Sequence, residues 1–129
     1  MASVRDVMTT ELVTVESTDT VAHAATKMGK SLTGSALVMG DDGLIGIFTE
    51  RDIVRAIGSD FGAAGDPIEH WMTRNPVTVE AHIDAGEALQ WMLAHGFRHF
   101  PVVEGEALVG IVSIRDLSRA VAEQERPGP

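Results

Sequence analysis

Two short stretches of this 129-residue chain set a hydroxyl, an arginine and an aspartate in the same order: Thr49-Glu50-Arg51-Asp52 and Ser113-Ile114-Arg115-Asp116. Each follows an apolar run containing Gly-Ile (Gly46-Ile47, Gly110-Ile111) and precedes a segment of helical periodicity, so each reads as a strand passing into a helix. Backbone N–H groups at a helix start lack intrahelical partners, and the positive end of the helix dipole faces outward there, which suits a phosphate. The hydroxyl adds a donor, and Arg51 or Arg115 adds charge. The carboxylate one turn along can accept both hydroxyls of a ribose, and apolar strand edges beside it can hold a flat base. The same spacing has a purely structural use. A Ser or Thr caps the helix, and an acid three residues on bonds back to the cap residue's N–H. Local geometry alone gives the two readings comparable weight.

Other chemistry-bearing patterns are weaker. Gly29-Lys30-Ser31 resembles the end of a phosphate-binding loop, but Ala24 stands where that motif needs glycine, and the triplet closes a helical pattern instead of opening one. His95 and His99 have a zinc-like spacing, but Gly96 interrupts the helix between them and no Cys or third His lies near, so no metal is expected. Trp71 and Trp91 sit in apolar stretches read as helical, where core or subunit interface is the expected home. No nucleophile elbow, metalloprotease motif or dinucleotide fingerprint occurs, so the chain is not expected to be an enzyme.

The elements that position the two junctions are also written twice. A shift of 64 positions carries Thr49 onto Ser113, Asp52 onto Asp116, Met8-Thr9 onto Met72-Thr73, and Val13-Thr14-Val15-Glu16 onto Val77-Thr78-Val79-Glu80. In each copy a β-branched strand is followed by a helical pattern (Val21, Ala24, Ala25, Met28, Leu32; then Ala85, Ala88, Leu89, Met92), capped by Thr20 or by Asp84 with Glu87. Two apolar strands follow, joined by hairpin signals at Asp42-Gly43 and Glu104-Gly105, and the junction helix closes the copy. The boundaries read as repeat one over about 4–57, a Gly- and Pro-rich connector over 58–67, repeat two over 68–121 and a fraying tail over 122–129. The fold class is therefore α/β (α+β). A tandem pair of strand-helix-strand-strand-helix repeats packs with pseudo-twofold symmetry into a single module, because one unit of about 60 residues buries too little surface alone.

Composition limits what such a module can meet. A formal charge of -9 disfavours nucleic acid, whose phosphates need clustered Lys and Arg. No apolar run approaches the roughly 20 residues of a membrane span. The chain has no cysteine, which excludes disulfides and fits the cytoplasm.

With MTxxxVTV opening each copy, G-h-h-[ST]-x-x-D closing it and RHFPVV on a middle strand, the chain resembles a cystathionine-β-synthase (CBS) domain pair over nearly its whole length. The resemblance implies a regulatory module for adenosine-containing ligands (AMP, ADP, ATP or S-adenosylmethionine), with no required cofactor. It implies that the aspartate holds ribose and that the hydroxyl lies near phosphate. One cleft would join Ser113, Arg115, Asp116 and His99 to Leu12, Val13, Thr33 and Gly34. Its twin would join Thr49, Arg51 and Asp52 to Pro76, Val77, Phe97 and Arg98. It also implies a homodimer packed through the repeat helices, and a regulated partner protein that the chain does not reveal. A ligand-free assembly module is the alternative reading, and a nucleotide-acting enzyme a more distant one.

Overall fold

Two parallel strands can be neighbours only if the chain travels back along the sheet between them, and a helical segment supplies that return. The computed structural model describes residues 1–125. In it the first repeat runs β1 (Thr14–Val15), α2 (Val21–Ser31), β2 (Ser35–Gly40), β3 (Gly43–Thr49) and α3 (Glu50–Ser59), preceded by a one-turn helix α1 (Val4–Val7). After two short 3-10 turns (Phe61–Gly65 and Ile68–His70) come β4 (Thr73–Arg74), β5 (Val79–Glu80), α4 (Ala85–His95), β6 (His99–Glu104), β7 (Ala107–Ser113) and α5 (Ile114–Gln124). The predicted strand-helix-strand-strand-helix order is present twice. Positions 126–129, the end of the tail expected from residue 122, lie outside the described residues.

The chain forms two compact units. One is Leu12–Pro76; the other combines Met1–Glu11 with the chain from Val77 onward. In the first unit β1 pairs in parallel with β2, β2 antiparallel with β3, and β3 antiparallel with β4, over a core of Val15, Val21, Met28, Val38, Phe48 and Ile68. In the second, β5, β6 and β7 repeat that order over Val4, Val79, Met92, Phe100, Val102 and Leu117. Even the bulges coincide, between Val38 and Met39 in one hairpin and between Val102 and Val103 in the other.

The outer edge of each sheet is covered by the segment that precedes the other repeat in sequence. Thr73 pairs with Ile47 of β3, and Thr9 exchanges backbone hydrogen bonds with Ile111 of β7 at 2.8 and 2.9 Å. Met72 and Met8 lie over Gly46 and Gly110. A Cβ on Gly46 would stand 2.8 Å from the Met72 sulfur, and one on Gly110 would stand 2.6 Å from that of Met8. These two glycines are where the covering segment comes closest, and no side chain fits beneath it.

Several local expectations change in three dimensions. Leu32, read as the last core position of its helix, is instead the cap residue of α2 in the left-handed region (φ 54°) and is 94% exposed. Its counterpart Gly96 takes the same role after α4 at φ 73°, without the strain a side chain brings there. Trp71 and Met72 are not helical. They follow the turn Ile68–His70 and pack half-buried against the first unit's core. Thr20 caps α2 by accepting from His23 N–H (3.0 Å). Asp84 accepts from Gly86 and Glu87 N–H, but among the described residues the Glu87 carboxylate does not accept from Asp84 N–H as it would in a full capping box. The first hairpin turns on Asp41-Asp42, and Gly43 opens β3 at φ 120°.

Candidate functional site

Both junctions form complete local arrays. At the start of α5, Asp116 Oδ2 accepts from Ser113 N–H (3.2 Å) and from the Ser113 hydroxyl (2.9 Å), while Ser113 Oγ accepts from Asp116 N–H (3.1 Å). At the start of α3, Asp52 Oδ2 accepts from Thr49 N–H (2.9 Å) and the Thr49 hydroxyl (3.2 Å). The capping-box reading is therefore realised at both sites. It also uses up donors. The first helical N–H of each helix, from Glu50 or Ile114, goes to the carbonyl of Gly34 or Arg98 in the same unit (3.0 and 2.8 Å). The N–H groups of Arg51 and Arg115 carry no such bond among the described residues, and both side chains are exposed.

What distinguishes the two arrays is the second carboxylate oxygen. Among the described residues no hydrogen bond or ion pair reaches Asp116 Oδ1, which leaves its lone pairs for a ligand. Asp52 Oδ1 instead accepts from Arg55 Nη1 at 2.9 Å, and Asp52 is 5% exposed. Arg55 lies over the Trp71 ring, 5.7 Å from its centre, and Trp71 Nε1 donates to Asp66 Oδ2 (3.1 Å).

The other predicted residues are divided between the two units. In the first, Leu12 and Val13 lead into β1, and the Val13 carbonyl accepts from Leu37 N–H (2.8 Å). Thr33 and Gly34 form the approach to β2, whose first residue Ser35 pairs with Thr49. Ser35 Oγ is the one buried side-chain polar atom without a partner among the described residues. Pro76 ends the unit, half-buried. In the second, Val77 is 44% exposed, and Phe97 stacks on His95 and meets Phe100 edge-on. Arg98 is exposed beside His99, the residue that pairs with Ser113 across β6 and β7.

A family model described as CBS domain matches residues 4–59 and again 68–123. The chain belongs to the CBS-domain family. It is 38% identical to an uncharacterised 17.7 kDa protein of Acidianus ambivalens, over 93% of this chain and 73% of that one. It is 31% identical to the CBS domain-containing protein YhcV of Bacillus subtilis, over 99% and 91%. Among solved structures, the CBS-domain protein ATU1752 of Agrobacterium tumefaciens superposes with a TM-score of 0.86 at 30% identity, covering 93% of this chain and 99% of that one. The CBS domain pair of protein MJ0100, solved in complex with 5'-methylthioadenosine and S-adenosylmethionine, does so with 0.86 at 26%, covering 96% and 98%.

Two features of this CBS pair weigh on where a ligand goes. An open, polar depression of about 750 Å³ in the first unit is lined by Thr14, Glu16, Asp19, Lys27 and Asp41, at the opposite end of the β2–β3 hairpin from Thr49. None of the predicted site residues lines it, and its three acids disfavour an anionic nucleotide. The second feature is a third box, Ser3-Val4-Arg5-Asp6, which opens α1. The Ser3 N–H, and after it the Ser3 hydroxyl, hold the Asp6 carboxyl below the usual aspartate range. Its hydroxyl-x-Arg-Asp order is that of the two junctions, yet it lies outside both predicted clefts. A capping box is thus no binding signature on its own; Asp116 differs from Asp6 in following a strand, and from Asp52 in having, among the described residues, no arginine on its second carboxylate oxygen. Among the described residues no cluster of His, Asp or Glu could hold a metal ion, and no helix is long and apolar enough to cross a membrane.

Proposed function

We propose that the chain is a regulatory CBS-pair module that binds adenosine-containing ligands: AMP, ADP, ATP or S-adenosylmethionine. The observation that carries this is the Asp116 array, a carboxylate oriented by Ser113 beside Arg115, with one oxygen that has no protein partner among the described residues. The likeness to the MJ0100 pair, solved with two adenosine compounds, supports the same ligand class. In this reading Asp116 and Asp52 accept ribose hydroxyls, while Ser113, Thr49, Arg115 and Arg51 face phosphate.

Ligands of this size gain about 0.3 kcal/mol per heavy atom, which for AMP gives roughly -7 kcal/mol, or about 10 μM. Calorimetry with the four ligands at high micromolar concentration is expected to show saturable heat with at least one. Silence with all four would leave a ligand-free assembly module as the better reading.

The module is also proposed to dimerise. α4 buries Ala85, Ala88 and Met92 on one face yet leaves Trp91 40% and Leu93 61% exposed on the two sides of that face. A second copy packed along this helix about a twofold axis would cover apolar surface there. Light scattering at micromolar concentration should return the dimer mass, and a monomer mass would remove the proposal.

A further inference from the structure

The two aspartates are equivalent by repeat, but their surroundings are not. The Asp52 array includes a chain of supports, Asp66 to Trp71 to Arg55 to Asp52, in which each side chain holds the next. At the corresponding positions of the second unit stand Ala2, Val7, Arg119 and Asp116. The arginine and aspartate are kept; the aromatic shelf and its anchor are not. Among the described residues no ion pair joins Arg119 to Asp116, whereas Arg55 occupies Asp52 Oδ1. A guanidinium stacked on an indole face has lost part of its freedom before it pairs, so the pair costs less ordering than an unsupported one.

From this contrast we infer that Arg55, shelved on Trp71, is a built-in competitor for the ligand at Asp52, so that the two adenosine sites have different affinities. The inference rests on the adenosine reading. A ribose hydroxyl can reach Asp52 Oδ1 only when Arg55 swings away, and that movement uncovers the Trp71 ring. Asp116 Oδ1 needs no such displacement. The Asp52 site therefore fills second, and its filling is reported by Trp71. Arg55 is 56% exposed at its side chain, so its hold is modest and reversible, weakening the site about three- to tenfold.

The test uses the full chain carrying Trp91→Phe. Because the protein has two tryptophans and no tyrosine, Trp71 then becomes the sole indole and the dominant emitter. AMP is titrated by calorimetry and by Trp71 emission, with and without Arg55→Gln. Two phases are expected in the heat, with emission changing over the weaker one. Arg55→Gln should tighten the weaker phase about three- to tenfold and leave the tighter phase in place. A weaker phase that is unchanged or loosened by Arg55→Gln overturns the inference while leaving adenosine binding intact. Loosening would mean that Arg55 contacts the ligand instead of competing with it. An emission change confined to the tighter phase, or none at all, overturns it equally. Absence of heat with AMP and with the other three ligands would defeat the adenosine reading and this inference together.

Discussion

Asp116→Ala removes the tighter phase of adenosine binding, whereas Asp52→Ala leaves that phase nearly intact. The expectation follows from two differences between the arrays. Among the described residues Asp116 Oδ1 has no protein partner, while Asp52 Oδ1 is held by Arg55. The cleft proposed for Asp116 also receives His99, paired with Ser113, where the first repeat has Ser35. A charge-assisted hydrogen bond is worth about 1.5–3 kcal/mol, roughly ten- to hundredfold in affinity. With a formal charge of -9 on the whole chain, an anionic ligand is held by such local contacts against the overall field, and raising the salt should weaken the tight phase. Alanine also deletes the return bond of the α5 cap, a loss of about 1 kcal/mol in stability that calorimetry could mistake for lost binding. Asp116→Asn separates the two, because the amide oxygen can still accept from Ser113 N–H while the charge is gone. Both variants should lose the tight phase, and the asparagine variant should melt closer to the parent. If Asp52→Ala removes the tight phase and Asp116→Ala spares it, the order of the sites is reversed.

The second large effect belongs to the segments that cover the sheet edges. Gly110→Ala is expected to destabilise the protein by about 1–3 kcal/mol, the usual range for forcing atoms into a packed site. The new Cβ would lie 2.6 Å from the Met8 sulfur and 2.9 Å from the Thr9 carbonyl oxygen. A methionine end can move aside, but Thr9 cannot without giving up its backbone bonds to Ile111. For a chain of this length the cost corresponds to a fall in melting temperature of about 3–15 °C. Gly46→Ala meets the looser pair, 2.8 Å to the Met72 sulfur and 3.0 Å to the Thr73 carbonyl, and should cost less. Gly29→Ala in α2 is the control, since nothing lies within 4 Å of its Cβ and alanine favours the helix. Because Gly110→Ala loosens the segment carrying Arg5, it should also speed tryptic cleavage there. A melting temperature within a degree of the parent's would show that the covering segment is not tightly seated.

Much of this architecture is legible in the residues because it is local. The caps at Thr20 and Asp84, the apolar faces of α2 and α4, the hairpins and the Thr49–Asp52 and Ser113–Asp116 boxes all involve partners within a few positions. Spacing is enough to predict interactions of that range, and the copied spacing exposes the repeat. Leu32 shows where the rule fails: the period that places it on the apolar face of α2 carries no information that the chain leaves the helix at that residue. Trp71 fails for a similar reason, since an apolar pair beside a turn resembles a helix face.

The pairings that give the two units different chemistry are long-range, and no local pattern distinguishes them. β3 and β7 present near-identical edges, Gly46-Ile47 and Gly110-Ile111, to two near-identical segments, Met8-Thr9 and Met72-Thr73. Propensity and periodicity fit either match equally well. Packing placed Met72 and Trp71 on the first unit and Met8 and Val7 on the second, and that placement set an indole under Arg55 but not under Arg119. Residue types made both aspartates candidates for a ribose; among the described residues, three-dimensional neighbours left one with a carboxylate oxygen unclaimed and set an arginine on the other.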